Sequence, residues 1–203
     1  MKRTLLLSTL LSIAAAASHA QSASPQPSTS QSQTTPTPPR PDLASRVPPA
    51  KPDDVKSIDA ILHAIYDVIS GPAGERDWTR FRSLFVPEGR LTSTVKREGA
   101  PSVRLLTVDD YVKGAGGYFA KNGFFESAIV NRVEKFGNIA QVFSSYESRH
   151  AATEKPFARG INGIQLLNDG SRWYVLSIVW DEESPSNALP AEMSTPAAST
   201  AKP

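Results

Sequence analysis

The chain has 203 residues, no cysteine, and 22 Lys and Arg against 20 Asp and Glu. The missing cysteines exclude a disulfide framework, a thiol nucleophile and a cysteine-borne lipid anchor. The slight basic excess belongs to the ends: residues 53–183 carry 16 basic against 18 acidic side chains, a net of −2. The broad positive footprint of a nucleic-acid backbone binder is therefore absent.

Residues 1–20 run from Lys2 and Arg3 through an apolar stretch to the small residues Ser18 and Ala20. This is the pattern of a signal peptide cleaved after Ala20, which predicts a periplasmic or secreted protein. No later segment approaches the roughly 20 apolar residues of a membrane helix, so no stable membrane insertion is expected. Residues 21–52 are rich in Pro, Ser, Thr and Gln and hold nine of the seventeen prolines, the composition of an extended, disordered tether. Residues 184–203 read as a disordered tail of the same kind. One domain of ordinary length remains, residues 53–183.

Within it, Val55, Ile58, Ile61, Leu62, Ile65, Val68 and Ile69 recur at helical spacing and predict one long amphipathic helix. Gly71, Pro72 and Gly74 break it. Asp77 then caps a shorter helix with Trp78, Phe81, Leu84 and Phe85 on its apolar side, ended by Pro87 and Gly89. Strands are predicted at 90–96 and 103–106, and Thr107 with Asp110 forms a capping-box pattern that opens a third helix to about Ala120. The rest is β in character, at 124–134, 139–150, 158–167 and 172–181, with hairpin turns at Gly137-Asn138 and at 168–170. Helices first and an antiparallel meander last define an α+β domain with the helices packed on one sheet face. Alternation in the last strand sets Tyr174, Leu176, Ile178 and Trp180 against Trp173, Val175 and Val179, so both faces need cover. A second copy of the sheet would supply it, and a homodimer through the outer sheet face is expected.

The helix pair leading through a Gly-containing loop to Asp77-Trp78, Phe81, Leu84-Phe85, Pro87 and Leu91, with the closing string from Gly170 to Trp180, resembles the NTF2-like (SnoaL-like) superfamily over residues 55–181. The resemblance implies a curved antiparallel sheet wrapped around N-terminal helices as a cone with an internal pocket. Its ketosteroid-isomerase-like branch implies a tyrosine on the first helix as oxyanion donor, a position that Tyr66 fits. The carboxylate base implied near the end of the first strand is missing, because that stretch reads Leu91-Thr92-Ser93-Thr94. A hydroxyl unaided is no proton acceptor near neutral pH.

Other groups carry candidate chemistry. Glu126, flanked by aromatics at the start of a strand, becomes an acid or base if it faces the pocket, or else a rim carboxylate paired with an arginine. Tyr146 and His150 share one side of their strand, and Glu147 and Arg149 the other. In Arg159-Gly160-Ile161-Asn162-Gly163 two glycines interrupt a strong strand, marking either a bend by a β-bulge or a close approach in which Arg159 clamps a carboxylate and Asn162 orients a polar group.

The glycines at 114–117 follow a helix start and lack a Gly-Lys-Ser/Thr ending, so no phosphate loop is read there. His63 with Asp59 and Asp67 lacks a third-element ligand, and no metal or other cofactor is expected. No serine nucleophile elbow and no His-Glu-x-x-His occurs. The expected site is a pocket for a small hydrophobic or amphipathic molecule, lined by Tyr66, Trp78, Glu126, Tyr146, Asn162 and Trp180, with Arg159 beside it. The alternatives are an isomerase or dehydratase with Glu126 as base and Tyr66 or Tyr146 as hydrogen-bond donor, or a protein-interaction domain on a stalk.

Overall fold

The structure, a computed structural model, describes residues 42–94, 96, 97 and 100–195. The expected leader at 1–20, most of the expected tether and the last eight residues of the expected tail lie outside the described residues. Among the described residues no helix is long and apolar enough to cross a membrane.

The long first helix is in fact two. Helix α1 (Pro52–Val55) stops at Lys56, and Ser57 in an extended conformation accepts the Ala60 N–H to start α2 (Ile58–Ile69). A serine hydroxyl satisfying a free N–H is a better start than an interior turn, so the break falls there. Helix α2 buries Ile61, Leu62, Ala64, Ile65, Tyr66, Val68 and Ile69. Helix α3 (Trp78–Ser83) is capped by Asp77 as expected, but ends early, and Phe85 already belongs to strand β1 (Phe85–Ser93). Two short strands, β2 (Lys96–Arg97) and β3 (Ala100–Pro101), form a separate pair. Strand β4 (Arg104–Thr107) leads into α4 (Val108–Phe119), whose Thr107–Asp110 capping box is closed in both directions.

Strands β5 (Phe125–Phe136), β6 (Ile139–Arg149), β7 (Ala158–Asn168) and β8 (Trp173–Glu182) make the antiparallel meander. The six-stranded order is β4-β1-β8-β7-β6-β5, with β1 running parallel to β8. The sheet is therefore mixed, where a wholly antiparallel one was expected. Chain returning from α3 lies alongside β8, tied by Val175 N–H to Leu84 O at 2.8 Å and Thr94 N–H to Trp180 O at 3.0 Å.

Two irregularities bend the long strands, between Ala128 and Val130 on β5 and at Leu176 on β8. The second overturns the alternation read along β8. Val175 opposes Leu166 and Ser177 opposes Gln165, so Leu176 is an extra residue, and Trp173, Val175, Ile178 and Trp180 all pack on the core side. Leu176 and Val179 are exposed on the other face.

The core lies between this concave face and helices α2 and α4. Ile61, Leu62, Phe81, Leu84, Phe85, Val142, Ile164 and Val175 are fully buried, each stabilising the fold by about 1.5–3 kcal/mol relative to an exposed side chain. Parts of the expected tether and tail join the domain. Residues 43–46 form a 3-10 turn whose Arg46 pairs with Glu88, and Ala50 packs on the core. Helix α5 (Ala191–Ser194) packs on β5 and β6, with Met193 only 2% exposed. Composition identifies chain that cannot fold alone; it does not register docking on a neighbouring surface through one methionine.

Candidate functional site

Cross-strand register fixes what the concave face presents. One row crosses five strands: Arg104 on β4, Ser93 on β1, Trp180 on β8, Asn162 on β7 and Ser144 on β6. The next sets Glu182, Gly160, Tyr146 and Ala128 side by side, and a third places Ala158, Ser148 and Glu126 together. Residues directly opposite in a sheet share a face, so these rows form one floor. Helix α4 and the end of α2 roof it, enclosing a cavity of about 550 Å³. Phe119, Phe124, Tyr111, Tyr146, Phe157 and Trp180 make much of its wall.

Glu126 is the half-buried carboxylate of this cavity. Ser148 Oγ donates to its Oε2 at 2.7 Å and Asn162 also donates to it. Burial, opposed by those two donors and reinforced by the charge of Glu182, pushes its pKa up from 4.5 to about 7. Its backbone is held separately: Ser70 Oγ accepts the Glu126 N–H at 2.9 Å while donating to Tyr66 O at 2.7 Å. Gly71 and Phe124 exchange backbone hydrogen bonds of 2.7 and 3.0 Å just upstream.

A second polar cluster lies on the same face of the sheet, where α2 meets the floor. Asn162 Nδ2 donates to the Tyr66 hydroxyl at 3.1 Å, and Tyr66 and Ser144 hydroxyls are 2.5 Å apart. Either hydroxyl of the Tyr66–Ser144 pair can be the donor. Burial first, then the nearby Glu126 charge, raises the pKa of Tyr66, and both act likewise on Tyr111 and Tyr146. All three stay protonated near neutral pH.

Of the expected site residues, Glu126, Tyr146, Asn162 and Trp180 line the cavity. The other three do not. Tyr66 is 5% exposed, and its hydroxyl is spent on the network beside Glu126. Trp78 packs edge-on to Phe81 at 5.8 Å and flat on Phe119 at 6.0 Å, partly buried against the core. Arg159 stands on the outer face, 3.5 Å from Glu183 and donating to Ser194 O at 3.2 Å, because the strand register that sends Asn162 inward sends Arg159 outward. Glu147 and Arg149 pair at 2.5 Å on that same outer face. His150 lies beyond the strand end, stacked on Phe157 at 4.2 Å.

The glycines of that string mark no bulge on β7, whose register with β6 is unbroken. Gly160 is required by proximity: a Cβ there would lie 2.2 Å from Asp181 O and 2.7 Å from the Tyr146 hydroxyl. Asp67, considered with Asp59 and His63, is bound instead by Arg80 at 2.5 Å, and Arg80 also holds Asp54 through two nitrogens at 2.7 and 2.9 Å. Among the described residues no group of three or more His, Asp or Glu is placed to hold a metal ion.

Sequence reasoning missed Ser148, Ser144 and Arg76. The serines alternate with Tyr146 along β6, so period-2 alternation would have found them once Tyr146 was set inward. Arg76, 8% exposed, donates from Nε to Ile69 O and from its terminal nitrogens to Gly71 O, Pro72 O and Gly74 O at 2.8–3.0 Å. Gly71 has φ 155°, and a Cβ on it would press on that guanidinium at 3.3 Å.

No family model matches the sequence, and no curated protein is significantly similar to it. Solved structures do resemble the domain. The beta subunit of a candidate aromatic-ring-hydroxylating dioxygenase from Novosphingobium aromaticivorans is 12% identical, with a TM-score of 0.50 over 70% of this chain and 95% of that one. An NTF2-like protein of unknown function from Silicibacter pomeroyi is 15% identical, with a TM-score of 0.46 over 63% and 94%. A candidate dehydratase of the NTF2-like family from Streptomyces avermitilis is 14% identical, with a TM-score of 0.48 over 66% and 99%. At such identities the likeness is one of fold: the domain is an α+β NTF2-like cone with a curved, unclosed sheet.

Proposed function

We propose that this domain, exported by its leader, binds a small, partly apolar molecule in the cone cavity. The observation that carries the reading is a 550 Å³ space walled by aromatics that holds one deep carboxylate with only two hydrogen-bond donors on it. A carboxylate accepts about four hydrogen bonds, so Glu126 retains capacity for a ligand. The proposal extends to a homodimer through the outer face, where Phe143, Leu176 and Val179 are each more than 40% exposed around the uncharged Gln141, Gln165 and Ser177.

A compound panel spanning steroid-like, polyketide-like and arylalkyl skeletons should contain members that raise the melting midpoint, and an unmoved midpoint across the whole panel would discard the binding reading. Light scattering on the same sample at micromolar concentration should give twice the protomer mass; the mass of one protomer refutes the dimer.

A second reading has its own support. A carboxyl with a pKa of about 7 suits proton transfer at neutral pH, which favours an isomerase or dehydratase with Glu126 as base. Of the two expected donors Tyr146 is the one that lines the cavity, since the Tyr66 hydroxyl is engaged elsewhere. Compounds that shift the midpoint should then take up deuterium from D2O next to a carbonyl, and fail to do so with Glu126→Gln.

A further inference from the structure

We infer that the cavity is built for an organic ammonium ion, a protonated amine carried on an apolar or aromatic body, with the ammonium seated against Glu126. This rests on the cavity being a binding site and goes further by giving the ligand its charge.

Placement of charge around the cavity is the first ground. Among the described residues its lining holds the acids Asp110, Glu126 and Glu182 and one basic side chain, Arg104. Asp110 is committed to the Thr107 cap, with its Oδ2 accepting from Oγ1 at 2.7 Å and from the backbone N–H at 3.1 Å. Arg104 stands on β4 and Glu126 on β5, the two opposite edges of the six-stranded sheet. Arg104 makes no ion pair with Glu126, and among the described residues Glu126 makes no salt bridge.

The second ground is the wall itself. Phe124, Tyr146, Phe157 and Trp180 line the cavity together with Glu126. Aromatic faces pack apolar groups of any kind, but their negative potential attracts cations and disfavours carboxylates. An anionic ligand would set its charge beside Glu126 with Glu182 in the same cavity, at a like-charge cost in a partly desolvated space. An ammonium supplies the missing counter-charge and up to three donors for the open lone pairs of Glu126.

The sign of a pH dependence separates the ligand classes. An amine with a pKa near that of lysine, about 10, stays charged from pH 5.5 to 8. It requires ionised Glu126, so its binding expels the proton and tightens as pH rises through the Glu126 pKa of about 7. A neutral carbonyl ligand accepting from protonated Glu126 would weaken over the same interval. Other ionisable groups surround this carboxyl: Tyr66 on α2, Tyr111 and Asp110 on α4, Tyr146 on β6, Glu182 on β8 and Arg104 on β4. A groove on the far side of Glu126 adds Asp59, His63, Asp67 and Arg149. A slope that belongs to any of these survives Glu126→Gln, whereas one that belongs to Glu126 does not.

The experiment is calorimetric titration with three compounds on one naphthylethyl skeleton, an amine, an alcohol and a carboxylate, at pH 5.5, 7 and 8. The amine should bind about tenfold tighter than either analogue at pH 8, and about thirtyfold tighter at pH 8 than at 5.5, with proton release seen in buffers of different ionisation enthalpy. Glu126→Gln should cost the amine about tenfold and leave the alcohol within about threefold. An alcohol or carboxylate that binds as well as the amine, an amine that weakens with rising pH, or an amine indifferent to Glu126→Gln overturns the inference while leaving the cavity a binding site. Silence from all three compounds, in wild type and at every pH, counts against the binding site itself and the ammonium inference falls with it.

Discussion

Two charged side chains of this domain, the buried Arg76 and the half-buried Glu126, are treated in opposite ways. Arg76 is closed in by backbone, its guanidinium donating to four carbonyl oxygens of the turn after α2, with the Phe119 ring 5.1 Å away. Glu126 receives two side-chain donors and opens on a cavity. No acid pairs with Arg76 and no base with Glu126 among the described residues. The difference lies in spare capacity. A buried charge with four of its five N–H donors bonded to backbone is a fastener, whereas one with acceptor sites open on a cavity is poised for something else.

The fastener serves the site. Arg76 fixes the loop in which Gly71 pairs with Phe124, two residues before Glu126. The largest expected effect therefore belongs to Arg76→Met, which fills similar volume but strands four carbonyls. Leaving buried acceptors unpaired should cost about 3–4 kcal/mol in urea unfolding, and equally at pH 5 and pH 8, because an arginine stays charged across that range even with burial lowering its pKa. A loss below about 1 kcal/mol would mean that water replaces the guanidinium, and the contrast with Glu126 would collapse.

Why one of these residues was legible in the sequence and the other was not follows from their partners. Glu126, Tyr146 and Asn162 lie on strands where alternation can be read, since side chains two apart share a face and the faces are set by neighbouring apolar residues. Trp78 is misplaced by the same logic applied to a helix, because a six-residue helix packed on several sides does not say which side faces a cavity. Arg76 has no signature at all: its partners are carbonyls, which every residue has. The capping box at Thr107 and Asp110 was readable because side chains make it. The β8 phase was not, because the extra residue Leu176 is apolar like its neighbours and a bulge of that kind leaves no mark on composition. The β1 start was hidden by a helical spacing that continues from Phe81 to Phe85 although the chain itself turns to extended at Phe85.

Glu126 should show itself through pH. Its folded pKa of about 7 lies above the ordinary 4.5, so between these values the folded state holds a proton that the unfolded chain has released. Stability contributed by this group is complete below about pH 4.5 and is lost as pH rises through about 7, by roughly 2–3 kcal/mol once partial exposure is allowed for. Glu126→Gln removes that loss, so the variant should overtake the wild type in stability as pH goes from 5 to 8. Parallel stability curves for the two proteins would show that Glu126 is not desolvated and would erase the distinction from a rim carboxylate.

The smallest effect probes the donors that separate Glu126 from an entirely unaided buried acid. Ser148 is 2% exposed and gives its proton to Oε2 at 2.7 Å, an interaction with the ionised form. Ser148→Ala should therefore raise the Glu126 pKa further, by about one unit, which is about 1.4 kcal/mol of charged-state support withdrawn. The loss should appear above pH 7 and be slight at pH 5, where the carboxyl is already protonated and can be served by Asn162. Carboxyl carbon chemical shifts of Glu126 followed by NMR from pH 4 to 9 measure the midpoint directly. A midpoint that falls, or stays where it was while stability drops equally at both pH values, would assign Ser148 to packing alone and leave Asn162 as the donor that keeps this carboxylate within reach of neutral pH.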